Sequence, residues 1–174
     1  MNHIDQTSED FPNRPLQVCY LDFDGVLHDD AAYWSPERGM HMKTPGRILF
    51  EWMPILDALL APHPDVKIVL STLWVCARSF EFAYRYLSPT LKARVIGATF
   101  HIRHTRRDEF QLNSRGYQVW NDVVRRRPSS WFAIDNDDTG WPASCRDRLV
   151  KTEDALGLSD PRVQDAVRQM LVIL

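Results

Sequence analysis

The chain has 174 residues, 44% of them hydrophobic and 25% charged, and a net charge of −2 at pH 7. That length and balance suit one globular domain with a real core, and they exclude a disordered chain or a globally basic nucleic-acid binder. Cys19, Cys76 and Cys145 are an odd number without metal-type spacing, no run approaches the ~18 apolar residues of a membrane span, and the first residues carry no apolar signal stretch. The expected setting is a cytoplasm that keeps the thiols reduced.

Residues 1–14 read as a flexible leader, and residues 15–174 as one domain without repeats or linkers. Three apolar runs of strand length stand out: "LQVCYL" (16–21), "VKIVL" (66–70) and "WFAI" (131–134). They are too continuously apolar for strands with one wet face, so they predict a parallel sheet covered on both sides. Between the first two lie residues 28–44, "HDDAAYWSPERGMHMKT", room for a hairpin flap and too short for a separate cap. Residues 45–61 follow with Ile48, Leu49, Trp52, Ile55, Leu56 and Leu59 at helical spacing, and Pro54 predicts a kink or break inside that helix. Further helices are expected over 77–87 and 114–127, with strands over 93–100 and 147–152. A closing helix carries Ser159 as its cap and Pro161 in its first turn. Strands alternating with helices imply an α/β fold: a Rossmann-like open parallel sheet with helices on both faces.

The chemistry collects where these strands end. The first runs into Asp22, with Asp24 and Gly25 close behind; the second ends in Ser71–Thr72; the third runs into "DNDD" (135–138). Parallel strands deliver their C-terminal ends to one edge of the sheet, where open α/β folds bind ligands. Carboxylates gathered there repel each other unless a cation joins them, and Mg2+ is the hard ion that oxygen ligands select. Gly25 lets the backbone turn sharply so that the acids face the crevice. An Asp-x-Asp-Gly by itself is most often a turn, Ser71 or Thr72 alone reads equally well as a helix cap, and Asp137 and Asp138 alone read as turn formers beside Gly140. The order of the three strand-end motifs is what turns these residues into a site.

"DFDGVL" at 22–27, "VLST" at 69–72 and "AIDNDD" at 133–138 resemble motifs one, two and four of the haloacid dehalogenase (HAD) superfamily of phosphotransferases, a likeness spanning roughly residues 16 to 152. The pattern "SRGYQVW…WFAIDNDDTGWP" also resembles a HAD subgroup found alone in bacteria and phages and related to HAD modules of RNA-repair proteins. The resemblance implies a Mg2+-dependent phosphatase with a minimal cap. In it Asp22 is the nucleophile that takes the phosphoryl group, Asp24 the general acid and then base, and Ser71 a ligand of the phosphoryl oxygens. Mg2+ is then held by Asp22, the main-chain carbonyl of Asp24, and Asp135.

Two departures from the family pattern matter. The third motif is a Lys or Arg shortly before the fourth, but no lysine occurs between Lys92 and Lys151, so Arg115 at the start of the third helix is nominated; its plain alternative is a solvated helix face. Arginine's fork suits phosphate at least as well as an ammonium. Asn136 stands where the subgroup often carries aspartate, which leaves Asn136, Asp137 and Asp138 open as the residue that completes the metal site.

Lys and Arg outnumber acids nine to three between Lys92 and Arg127. Arg103, Arg106 and Arg107, with His101 and His104, form either ordinary surface or an electrostatic landing area for a polyanion, while the triplet 125–127 reads as a complement to the negative end of its helix. His101, His104 and Cys145 lack the spacing of a zinc site. Most tryptophans read as core, but Trp34, Trp74 and Trp141 are expected at the mouth of the crevice. A small cap goes with open sites in this superfamily, so the expected substrate is a nucleotide or nucleic-acid end. The alternatives are a small-metabolite phosphatase and a non-catalytic binding module on the same fold.

Overall fold

The structure, a computed structural model, describes residues 15–174. The expected leader over 1–14 lies outside the described residues. Five parallel strands form the central sheet in the order β5-β4-β1-β6-β7: β1 (Gln17–Leu21), β4 (Lys67–Leu70), β5 (Val95–Ala98), β6 (Ser130–Asp135) and β7 (Leu149–Lys151). A separate antiparallel hairpin, β2 (Ala32–Ser35) and β3 (Gly39–Met42), occupies the short stretch between β1 and the first helix.

The unbroken apolarity of the three central strands has a direct cause. Cys19 and Leu21 of β1, Ile68 and Leu70 of β4, and Phe132 and Ile134 of β6 point into one core cluster, against helices α1 (Met53–Leu60) and α7 (Pro161–Ile173). Their sequence neighbours Val18, Tyr20, Val69, Trp131 and Ala133 point into the other, where Val119 and Val123 of α6 (Arg115–Arg126) cover them. Both faces are therefore dry, and each fully buried aliphatic side chain contributes about 1.5–3 kcal/mol. Tyr20 keeps its phenol in that interior by donating to Asp122 Oδ2 at 2.9 Å. Asp122 is itself held by Arg126 Nε at 2.8 Å and by Arg125, so two of the three arginines in the triplet serve a buried carboxylate of their own helix. Among the described residues no helix is long and apolar enough to cross a membrane, and Cys19, Cys76 and Cys145 are free and buried.

Several expected elements take different bounds. The helix over 45–61 begins only at Met53, and Pro54 stands in its first turn rather than kinking its middle, since a first-turn proline lacks only an N–H that has no partner anyway. Of the helix expected over 77–87 only α3 (Phe80–Tyr84) forms, capped where the Ser79 hydroxyl accepts from Phe82 N at 3.0 Å; a separate short helix, α2 (Leu73–Ala77), precedes it. Short helices α4 (Pro89–Lys92) and α5 (Arg107–Leu112) flank β5. Residues 143–148 form a 3-10 turn, leaving β7 only three residues. Asp160, not Ser159, caps α7, its carboxylate accepting from Arg162 N at 2.9 Å, while Ser159 bonds back to the Leu156 carbonyl.

Candidate active site

Register sets the site. Leu21 pairs with Leu70 on one side and with Ile134 on the other, so the next residues, Asp22, Ser71 and Asp135, leave three adjacent strands abreast. Backbone bonds carry the ladder one step further: Asp22 N donates to the Ile134 carbonyl at 3.2 Å, Ser71 N to the Leu21 carbonyl at 2.9 Å, and Thr152 N to the Asp135 carbonyl at 3.0 Å. Gly25 then turns the chain at φ +68°, a conformation that suits glycine, and a Cβ there would come within 2.6 Å of the Asn136 amide. Thr152 Oγ1 ties that turn to the sheet by donating to the Gly25 carbonyl at 2.7 Å.

Arg115 enters from α6 between the two carboxylates. Its Nη2 lies 3.5 Å from Asp22 Oδ2, its Nε 3.2 Å from Asp135 Oδ2, and its Nη1 donates to the Ser71 carbonyl. The helix can come this close because Gly116 has no side chain: a Cβ would sit 2.4 Å from the Trp141 backbone nitrogen. Gly116 N in turn donates to the Thr139 carbonyl at 3.0 Å, and Gly140 leaves room for Ser114. The "SRG" and "DDTGW" segments are thus two sides of one contact that delivers the guanidinium. Gln118 Nε2 pins the preceding loop by donating to the carbonyls of Phe110 and Asn113.

Among the described residues, four buried polar atoms in this crevice lack a hydrogen-bond partner: Asp22 Oδ1, Ser71 Oγ, Arg115 Nε and Asp135 Oδ2. Burial pushes the Asp22 carboxyl above its ordinary value, with Arg115 pulling it down and Asp24 raising it again. Asp135 is pushed well up by burial and by Asp22, against the pull of Arg115. Burial also opposes the charge on Arg115, but the facing carboxylates of Asp22 and Asp135 outweigh it and hold the guanidinium charged. Such clustering of unsatisfied, raised carboxyls is costly for stability and is found where a ligand completes the set.

The orphaned Asp22 Oδ1 and Asp135 Oδ2 fit a divalent cation. Among the described residues no group of three His, Cys, Asp or Glu side chains is arranged to hold a metal. Mg2+ nevertheless needs only one or two protein carboxylates, because it keeps several of its waters.

The other nominated residues divide. Asn136 Nδ2 donates to Asp154 Oδ1 at 2.9 Å, at the rim of the crevice. Asp137 accepts from Thr139 N through its side chain and from the Trp141 indole through its carbonyl, and it lines a polar pocket of about 370 Å³ beside Arg115. Asp138 pairs outward with Lys151 at 3.2 Å, a bond that lowers its carboxyl below the ordinary range. Trp141 packs into the second core cluster instead of lining the crevice, Trp34 is exposed on the hairpin with the Arg78 guanidinium 3.8 Å above its ring, and Trp74 is buried.

Around Asp24 sit Trp74, one of the tryptophans expected at the crevice, and two residues that sequence reasoning missed, His28 and Asp30. Trp74 Nε1 donates to Asp24 Oδ2 at 2.7 Å, and His28 Nε2 lies 3.0 Å from Asp24 Oδ1. Asp30 is pushed up to about 6, first by partial burial and then by Asp24 and Asp154. The i,i+4 spacing of Asp24 and His28 was the only signal available for the histidine.

Comparison with known families settles the lineage. The model of the HAD domain in Swiss Army Knife RNA repair proteins matches residues 18–163. This chain belongs to that family. The match covers every strand of the HAD core but the first residue of β1, and both sides of the "SRG"–"DDTGW" contact. No curated protein and no solved structure matches the chain.

Proposed function

We propose that this HAD domain is a Mg2+-dependent phosphomonoester hydrolase that works through a phosphorylated Asp22, on nucleotides or the phosphorylated ends of nucleic acids, in the cytoplasm. The observation that carries the reading is the row of Asp22, Ser71 and Asp135 at the ends of three adjacent strands with Arg115 inserted between the two acids. Family membership supports the hydrolase class, and the three free, buried cysteines support a reducing compartment.

Asp22, Asp135 and the Asp24 carbonyl would hold Mg2+, with Asn136 at the rim. When bound, the ion supplies positive charge against the carboxylates and the phosphoryl oxygens. Ser71 Oγ, which has no partner, and the Arg115 guanidinium, whose Nε makes no hydrogen bond, receive the phosphoryl oxygens. An Asp22 carboxylate oxygen attacks phosphorus while the bond to the leaving oxygen breaks, and Asp24 gives that oxygen its proton. Asp24, now a carboxylate, takes a proton from the water that attacks the same phosphorus, which frees phosphate and returns Asp22. Positioning and charge neutralisation carry most of such a reaction. The half-buried hairpin is proposed as a minimal flap, and the basic residues 101–107 as the approach for a polyanion.

The test is hydrolysis of p-nitrophenyl phosphate, of nucleoside monophosphates and of 5′- and 3′-phosphorylated RNA oligonucleotides, with Mg2+ and with chelator. Expected is Mg2+-dependent release of phosphate, with the highest kcat/KM on an oligonucleotide. Preference for a small phosphorylated metabolite moves the substrate class, and tight oligonucleotide binding without turnover makes the chain a binding module.

A further inference from the structure

We propose that His28 and Trp74 are positioning residues for Asp24, a two-donor clamp that fixes the carboxyl group in the plane needed for proton transfer; this rests on the reading of Asp24 as acid and base. Each carboxyl oxygen has one donor: Trp74 Nε1 on Oδ2 at 2.7 Å, His28 Nε2 on Oδ1 at 3.0 Å. The histidine's donor role follows from its other nitrogen. Phe50 N points at His28 Nδ1 from 3.3 Å, and a backbone N–H can only donate. Nδ1 is therefore the acceptor, and the ring proton sits on Nε2, facing Asp24.

The clamp is built rigidly. The chain turns back at Gly25, with Leu27 N donating to the Phe23 carbonyl at 2.8 Å, and this brings His28 over Asp24. Phe50 holds its N–H toward the ring from a backbone at φ +60°, which non-glycine residues rarely adopt. His28 is fully buried, its ring centroid 4.8 Å from that of Phe50 and 5.8 Å from that of Trp74, with Phe23 and Tyr86 closing the same aromatic wall. Trp74 is held in turn by its backbone N–H on Thr72 Oγ1 at 3.3 Å, so the turn that presents Ser71 also presents the indole. The Asp24 side chain keeps about a quarter of its surface open. Each oxygen accepts one clamp bond and keeps a second lone-pair direction for the leaving oxygen, and later for water.

A loose acid costs most where the leaving group most needs its proton. Trp74→Phe removes the indole donor and keeps an aromatic ring; His28→Gln keeps a donor near Nε2. Single-turnover rates are compared on p-nitrophenyl phosphate and on an alkyl phosphate such as glycerol phosphate. For Trp74→Phe the loss on the alkyl ester should exceed that on the aryl ester by roughly 10–10²-fold, with KM little moved, the size expected from misplacing a reacting group. His28→Gln should lose less than His28→Phe on the alkyl ester. Equal losses on both esters, or no loss, overturn the clamp while leaving the phosphatase reading standing; a wild type inactive on both esters overturns both. Where the variants do not fold, 15N spectra of histidine-labelled wild type decide, through a protonated Nε2 and a bare Nδ1 on His28. A proton on Nδ1 contradicts the proposal.

Discussion

The Nε of Arg115 lies 3.2 Å from Oδ2 of Asp135 without the angle of a hydrogen bond, so the two are joined by charge while each keeps capacity for another partner. Both side chains are more than nine-tenths buried. A buried guanidinium between two carboxylates adds little net stability, because desolvation offsets the attraction, yet removing it strands the acids.

Arg115→Ala is therefore expected to destabilise the metal-free protein by about 3–5 kcal/mol, the usual cost of breaking a buried pair. It should also lower kcat by ~10²-fold or more, in line with loss of one preorganised charge on the reacting oxygens. Arg115→Lys keeps the charge and loses the fork, and should recover most of the stability and only part of the rate. Chemical denaturation and steady-state kinetics on the three proteins check both halves. An alanine variant with wild-type turnover removes Arg115 from the site.

Asp30 gives a pH signature with a definite sign. Its carboxyl is pushed from 3.8 to about 6 in the folded chain, so the native state holds the Asp30 proton more tightly than the unfolded state. Stability then falls as pH rises through that window. Asp30→Asn should match the wild type near the lower value and gain relative to it up to about 6, where the difference levels off. Because Asp30 is exposed, solvent screening keeps the effect small. Melting temperatures of the two metal-free proteins across that range check it; a difference that shrinks with rising pH has the wrong sign.

Much of this geometry is legible in the sequence. The runs ending in Asp22, Ser71 and Asp135 are readable because, past the half-buried Gln17, Lys67 and Ser130 that open them, these strands are dry on both faces and carry no charged side chain until they end. The stretch from "SRG" to "DDTGW" is readable in sequence as a family pattern, while the close approaches at Gly116 and Gly140 that explain it emerge only in three dimensions. What failed was local. Helical periodicity runs through residues 45–52 and across Arg78–Ser79, where a tertiary bond from Phe50 N to His28 and a local capping bond from Phe82 N to the Ser79 hydroxyl impose turns instead. The cap of α7 is ambiguous in sequence because two capping residues adjoin, Ser159 and Asp160, and the one whose carboxylate reaches Arg162 N prevails. The Trp74–Asp24 bond joins residues 50 positions apart and leaves no trace in local sequence.

The basic loop separates the substrate classes. Arg106 pairs with Asp108 at 3.1 Å in the open, and Arg107 lines a small pocket with Arg78, His101 and Ile102. Neutralising Arg103, Arg106 and Arg107 together is expected to raise KM for a phosphorylated oligonucleotide several-fold at low salt, an effect that fades as the screening length drops below ~8–10 Å. Hydrolysis of p-nitrophenyl phosphate should hardly change. Equal losses on both substrates point to damaged folding, and no loss on either returns the loop to ordinary surface and takes nucleic acid out of the lead.

Asp22 as phosphoryl acceptor is the claim on which the rest depends, and trapping tests it most directly. Wild-type protein turning over a 32P-labelled phosphomonoester with Mg2+ is quenched in acid within the first turnover and its peptides are mapped. The expected result is base-labile label on the peptide carrying Asp22, and none in Asp22→Asn, which should also fall below measurable turnover because a neutral amide cannot attack phosphorus. Steady turnover by a folded Asp22→Asn protein, or label recovered on a different residue, would contradict the account.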